Sequence, residues 1–214
     1  VSMGAYIIIL PDKMYVNSTD TSDYGSIEAS VTTETGVSFS LCRIDGTAYA
    51  ENIGTEEPET PTDKQYRIDT STKPHTLKQY SEKSEMWVSV PTTYIKISAP
   101  GIGAPFSQYD GVTISGIKGQ TEKTDLDAID GSFVVWERGN DYLVILGMLD
   151  ETASINIPVT VARKMPKTDF IIESENRLWG CRYGLADGKP VNEIYASKQG
   201  DFKNWNCFMG LSTD

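Results

Sequence analysis

The apolar residues of this chain fall in short runs of strand length, and this pattern restricts its fold more than any other feature. No window of a dozen residues places apolar side chains at i, i+3, i+4 and i+7, as an amphipathic helix requires. Residues 5–10 form the first apolar run, Pro11-Asp12-Lys13 follows, and residues 14–17 form the next run. Proline presets a turn dihedral and aspartate bonds its own backbone, so this spacing predicts a β-hairpin. The chain is therefore expected to be all-β.

The most clearly marked hairpin is predicted in the second half of the chain. Residues 132–136 and 142–146 are rich in β-branched and aromatic side chains, and they flank the turn Arg138-Gly139-Asn140-Asp141. Several short strands of this kind between residues 101 and 164 indicate a small barrel or sandwich.

Breaker residues predict where the chain divides. The run Pro100-Gly101-Ile102-Gly103-Ala104-Pro105 is the strongest cluster of proline and glycine and marks a join. The predicted units are a terminal β unit of residues 1–30 plus 165–214, an inserted β subdomain of residues 31–100, and a small β-barrel-like subdomain of residues 101–164.

The two ends of the chain look alike, because each has an apolar strand, a turn with Asp or Asn, and an aromatic strand. Neither end is large enough to bury a core alone, so we expect the two to lie together and to shelter Tyr6, Ile8, Leu178 and Trp179. Similar end units with other material between them suggest a discontinuous, propeller-like fold. The chain also begins without an initiator Met or a signal peptide, so we expect a fragment of a longer polypeptide.

Composition narrows the class of function. The 214 residues are 39% hydrophobic and 23% charged, which favours a folded chain. The net charge of −11 repels phosphates and anionic lipids, so neither nucleic acid nor a membrane is expected as a partner. The widely spaced Cys42, Cys181 and Cys207 do not form a disulfide framework, and we expect reduced thiols in a protein made in a cytoplasm.

No catalytic or metal-binding residue can be assigned from the sequence. The single histidine, His75, lies in a polar segment that reads as an exposed loop, without a nucleophile motif near it. The acids in Asp125-x-Asp127-x-x-Asp130-Gly131 are out of register for a calcium loop, and a solvated acidic loop is the better interpretation. We therefore expect no catalytic residue, no metal and no cofactor.

Two C-terminal segments, ENRLWGCRYG at 175–184 and NEIYASKQGDFKNW at 192–205, carry a recognisable pattern. The pattern resembles structural proteins of phages and prophages of Firmicutes, including propeller-like tail proteins. In those proteins an Asn-Arg-Leu strand precedes a strand ending in Tyr-Ala-Ser, a Gly-Asp turn and an Asn-Trp pair. The matching residues here are Asn176, Arg177, Leu178, Trp179, Tyr195, Ala196, Ser197, Gly200, Asp201, Asn204 and Trp205.

Three other segments carry weaker likenesses to the same class. MGAYIIILPDKMYVN at 3–17 looks like a preceding propeller blade, and YDGVTISGI at 109–117 resembles a small inserted β domain. Residues 65–90 are similar to a short tail-fibre repeat, which usually has Trp at the position of Arg67.

The resemblance implies a virion structural protein of the tail or baseplate, made in the host bacterial cytoplasm and without catalytic residues. It implies contacts with other virion and tail proteins, with a homo-oligomer and a host surface glycan as further possible partners. The candidate binding or assembly residues are Arg177, Trp179, Tyr195 and Trp205. Arg177 can bond carboxylates or carbonyls of a neighbouring strand, and Trp179 and Trp205 are expected to supply large buried areas.

Two other classes of function stay open. Eleven tyrosines and four tryptophans would suit sugar stacking, so a carbohydrate-binding module for host attachment is the first alternative. A hydrolase with an unrecognised pair of carboxylates is the second, since the chain has 30 acids. A concave aromatic surface would favour the former, and two acids converging in a deep pocket would favour the latter.

Overall fold

The structure is a computed structural model that describes residues 1–34, 36–49, 52–122 and 125–206. Within these ranges the chain forms β-strands in five sheets, one 3-10 turn at Leu126–Ile129 and no α-helix. The predicted all-β class is therefore confirmed. Each of the five sheets is open in the described part of the chain, so the propeller and barrel details stay predictions.

The N-terminal sheet is an antiparallel meander. Its strands are β1 (Ser2–Met3), β2 (Tyr6–Ile9), β3 (Met14–Asn17) and β4 (Tyr24–Ser26). The predicted turn after residue 10 joins β2 to β3, and Lys13 takes a left-handed conformation there with φ of 56°. Ile8 and Tyr15 are paired neighbours and point to the same buried side.

Two middle sheets face each other across the main hydrophobic cluster. The first has the order β14 (Glu137–Gly139), β15 (Tyr142–Leu146), β11 (Tyr94–Ser98), β6 (Val37–Cys42) and β16 (Ala153–Ile155). The second has the order β13 (Gly131–Val134), β12 (Gly111–Ser115), β17 (Thr160–Arg163) and β5 (Ala29–Thr32). Phe39, Ile97, Val112 and Val161 are fully buried between them, so this core takes residues from both sides of the predicted boundary at residue 100.

A side sheet packs against the first middle sheet through a small cluster of Tyr49, Ile68 and Leu77, with Leu41 of β6 beside it. Its strands are β10 (Met86–Ser89), β9 (Thr76–Ser81), β8 (Tyr66–Asp69) and β7 (Ile53–Gly54). The pairing of β7 with β8 is parallel, and the other pairs are antiparallel.

The C-terminal sheet consists of two hairpins that share a long central strand. Its strands are β18 (Phe170–Ser174), β19 (Arg177–Ala186) and β20 (Lys189–Ala196). Each hairpin closes with two residues of positive φ, Glu175-Asn176 and Asp187-Gly188. Such turns match the twist of the flanking strands, which is why Asn and Gly recur there.

The two ends of the described chain share a hydrophobic cluster. Ile8 and Tyr15 of the N-terminal sheet, Leu178 of the C-terminal sheet and Phe202 are buried together in it. The Nζ atom of Lys203 donates a hydrogen bond to the hydroxyl of Tyr15 at 2.9 Å. The structure thus brings residues more than 160 positions apart into one core, while the division of the chain into three units stays a prediction.

The hairpin predicted around residues 138–141 has a different first strand. Strand β14, and not the segment 132–136, pairs with β15, whereas β13 pairs with β12 in the other middle sheet. The chain crosses between the sheets at Val135, whose amide donates to Asp110 O, and Trp136, whose amide donates to Val144 O. The prediction was wrong because one apolar run serves two sheets, which its alternation does not reveal.

Candidate assembly surface

The four residues predicted for binding or assembly lie in or beside the C-terminal sheet, but they do not form one site. Trp179 pairs with Ala196, and Gly180 pairs with Tyr195. Because neighbours along a strand point to opposite faces, Trp179 and Tyr195 lie on opposite sides of the sheet. Trp205 lies beyond β20 and packs against the cluster that joins the two ends.

Arg177, Trp205 and Tyr195 form hydrogen bonds within their own region of the fold. Arg177 Nη1 donates to the carbonyl oxygen of Ser197 at 3.1 Å, and Trp205 Nε1 donates to that of Phe202 at 2.8 Å. The hydroxyl of Tyr195 donates to the Glu193 carboxylate at 2.7 Å, and this hydrogen bond raises the pKa of Tyr195. These contacts indicate that the three residues hold the local fold together.

Trp179 was expected to be buried between the two ends, and that expectation was wrong. It is 39% exposed, because it lies on the side of the sheet that faces away from the shared cluster. Its indole nitrogen donates to the carbonyl oxygen of Ser174 at 3.4 Å, and the ring stays accessible.

Trp179 belongs to a contiguous apolar surface, here called the outer face. Phe170, Cys181 and Ile194 pair directly with one another across the three strands, and Ile172, Trp179 and Ala196 form the next row. Tyr183 and Leu185 continue the same face of β19, since they lie two and four residues beyond Cys181. The rings of Phe170 and Tyr183 are stacked with their centroids 6.2 Å apart.

The outer face is exposed well beyond what scattered surface residues would produce. The exposed fractions are 63% for Phe170, 65% for Ile172, 63% for Tyr183, 77% for Leu185 and 74% for Ile194. Together with Trp179, and with roughly 150–250 Å² for each large side chain, they present an apolar area on the order of 700 Å². The largest apolar patch on a typical monomer is roughly 300–600 Å², and larger patches usually mark an interaction site.

The opposite face of the C-terminal sheet packs against the cluster shared by the two ends. Leu178 and Ser197 are fully buried, and Ile171 packs against the cluster shared by the two ends. Apolar side chains therefore occupy both faces of the C-terminal sheet, although the structure covers only one of them.

Sequence reasoning identified Trp179 but missed Phe170, Ile172, Tyr183, Leu185 and Ile194. The available signal was apolar residues at both odd and even positions of β18 and β19, in FIIES and RLWGCRYGLA. A strand with water on one side alternates apolar and polar residues, so a loss of alternation indicates that both faces are meant to be covered.

The described part of the chain contains open cavities, and two of them are lined in part by charged or titratable residues. One cavity of about 630 Å³ lies between the ends and includes Lys13, Lys167, Asp169 and Arg182 in its lining. His75, expected in an exposed loop, is half-buried and lines a second cavity of about 360 Å³ that also holds Glu151.

The acidic segment near residue 127 is engaged with the backbone. Carboxylate oxygens of Asp130 accept hydrogen bonds from the amides of Ile117 and Lys118 at 2.9–3.2 Å. Asp127 accepts from the amide of Gly119 at 3.0 Å. In the described ranges no group of three or more His, Cys, Asp or Glu side chains is placed to hold a metal ion.

Both described cysteines are free thiols. Burial raises the pKa of the Cys42 thiol to about 12, and Cys181 lies half-buried in the outer face. Cys207 lies outside the described residues.

Comparisons with known proteins give no relative: no family model, no curated protein and no solved structure matches this chain. Among the described residues, no helix has the length and apolar character needed to span a membrane.

Proposed function

We propose that this chain is a structural assembly module of a phage virion, in the tail or baseplate, that acts through protein–protein contacts. The observation that carries the proposal is the outer face, which leaves a large apolar area open to water. Leaving such an area in water costs about 25 cal/mol per Å², so a partner that covers it gains that free energy.

The phage setting of the proposal is supported by the C-terminal sequence pattern. Leu178 of this pattern is buried in the shared cluster, and Trp179 beside it lies on the exposed face. We also propose that the fold is propeller-like, and two end sheets that share one core support this. On the N-terminal sheet Ile7, Ile9 and Met14 are also exposed, as expected of a sheet that takes further neighbours.

The test is to isolate particles from cells in which the gene for this chain has been replaced by defined variants. Leu185→Lys/Ile194→Lys places two charges on the outer face, and Met86→Lys/Val88→Lys is a matched control on the exposed edge strand β10. We expect the wild-type and control proteins in purified particles and the outer-face variant in the soluble fraction. Absence of the wild-type protein from particles, or normal incorporation of the outer-face variant, would contradict the proposal.

A further inference from the structure

We infer that the partner which covers the outer face is a second copy of the same chain, so that two C-terminal sheets pack face to face about a twofold axis. The inference rests on the proposed function, because it names the partner of the same surface. Twofold contacts bring the same patch of both copies together and are the commonest form of oligomer.

The size of the outer face matches what such a contact needs. Its apolar area, on the order of 700 Å², is close to the ~800 Å² that each partner buries in a standard protein interface. The exposed residues of the N-terminal sheet, Ile7, Ile9, Met14 and Tyr24, are fewer and less exposed as a group. The outer face is therefore the larger of these two surfaces.

The distribution of charge also favours a second copy over a basic partner. The chain carries a net charge of −11, yet no Asp or Glu of β18, β19 or β20 points to the outer face. Cross-strand partners lie on the same face of the sheet, so the pairings assign each residue of the three strands to one face. The polar residues assigned to the outer face are Ser174, Arg177 and Asn192. A cationic partner would find no carboxylate there, whereas two copies meet without bringing acids together.

The arrangement of side chains suits a sheet-on-sheet contact. Two sheets that pack face to face lie about 10 Å apart and interdigitate their inner side chains. The row Phe170, Cys181 and Ile194 runs through the middle of the face, with Cys181 on the central strand. Residues on the central strand β19 would meet their own counterparts, and the result is a six-stranded sandwich.

Sedimentation velocity of the purified chain over a range of concentrations tests this inference. We expect a monomer–dimer equilibrium that tightens when NaCl is raised from about 50 mM to about 500 mM, because salt screens the repulsion between two acidic copies. The Leu185→Lys/Ile194→Lys protein should dimerise roughly 100-fold more weakly. The Met86→Lys/Val88→Lys control should match the wild type.

A wild-type protein that stays monomeric at all concentrations, or an outer-face variant that dimerises as well as the control, would overturn the inference. The single variant Leu185→Lys, at an exposed position near the hairpin end, serves as a second test if the double variant does not fold. A monomeric wild type whose outer-face variant still fails to enter particles would refute the dimer alone. A dimer whose disruption leaves incorporation unchanged would refute the proposed function instead.

Discussion

Gly111 and Asn204 lie far apart in the sequence, and they touch in the structure. A Cβ atom added to Gly111 would lie 2.1 Å from Oδ1 of Asn204. Asn204 is buried, and its side-chain oxygen accepts a hydrogen bond from the amide of Asn206 at 3.2 Å. The contact holds the C-terminal segment against strand β12 of the second middle sheet.

Replacing Gly111 with alanine should therefore destabilise the protein. The new methyl group must displace Asn204, and overpacking of this kind costs about 1–3 kcal/mol of unfolding free energy. Urea unfolding of Gly111→Ala against wild type measures the effect, with Gly54→Ala as the control, since an added Cβ at Gly54 meets nothing within 4 Å. Equal stability of the two variants would show that the contact is not tight.

The sequence identified both segments but not their contact. Local pattern fixes turns such as Glu175-Asn176, because the two residues that set the dihedrals are adjacent. The distance between Gly111 and Asn204 depends on how the C-terminal sheet lies relative to the second middle sheet. A local sequence pattern does not determine that arrangement.

The side sheet is organised around a buried arginine. Arg67 is almost fully buried, with Nη1 3.1 Å from a Glu57 oxygen and Nη2 3.7 Å from an Asp69 oxygen. Lys78 Nζ lies 2.7 Å from the other oxygen of Asp69. The guanidinium carbon of Arg67 lies 5.8 Å from the ring centre of Trp87. A buried cation needs such partners, because its desolvation is costly when it is unpaired.

Asp69 should make the side sheet sensitive to acid. Its hydrogen bonds from Lys78 and Ser71 hold the pKa of its carboxyl well below the usual value. Because the pKa of Asp69 is lower in the folded state, its carboxylate stabilises the fold at any pH above the unfolded-state pKa of about 4. This stabilisation is lost as the pH falls from there towards the folded-state pKa.

Replacing Asp69 with asparagine should lower the unfolding free energy by about 2 kcal/mol at pH 7, because Arg67 and Lys78 would then face a neutral amide in place of a carboxylate. The loss should shrink as the pH falls from about 5 towards 2. Denaturant unfolding at several pH values measures it, and Asp63→Asn, an exposed acid of the same region, is the control. A loss that does not change with pH would argue against the charged contact.

At the scale of strands, the sequence predicted the class of structure but not every pairing. Short apolar runs separated by turn residues allow strands and exclude amphipathic helices. The run at 132–136 was assigned to one hairpin, whereas β13 and β14 belong to different sheets. Alternation describes which side of a strand is buried, and it says nothing of which partner a strand chooses.

Across the whole molecule, the main core lies between the two middle sheets and a second core joins the ends. The sequence predicted that the ends would need each other, because each is too small to bury a core. It did not predict that Trp179 would face outward, since that depends on the register of β18, β19 and β20. One position of slip would exchange the two faces of the sheet.

The most direct test of the assembly account is hydroxyl-radical footprinting of the outer face. Labelling of Phe170, Trp179 and Tyr183 is compared between wild-type protein in purified particles and the isolated Leu185→Lys/Ile194→Lys protein. If assembly covers the outer face, these side chains are strongly labelled in the isolated variant, and their labelling is several-fold lower in particles. Met86, exposed on the side sheet, should be labelled equally in both. Equal labelling of the outer face in both states would contradict the claim that assembly covers it.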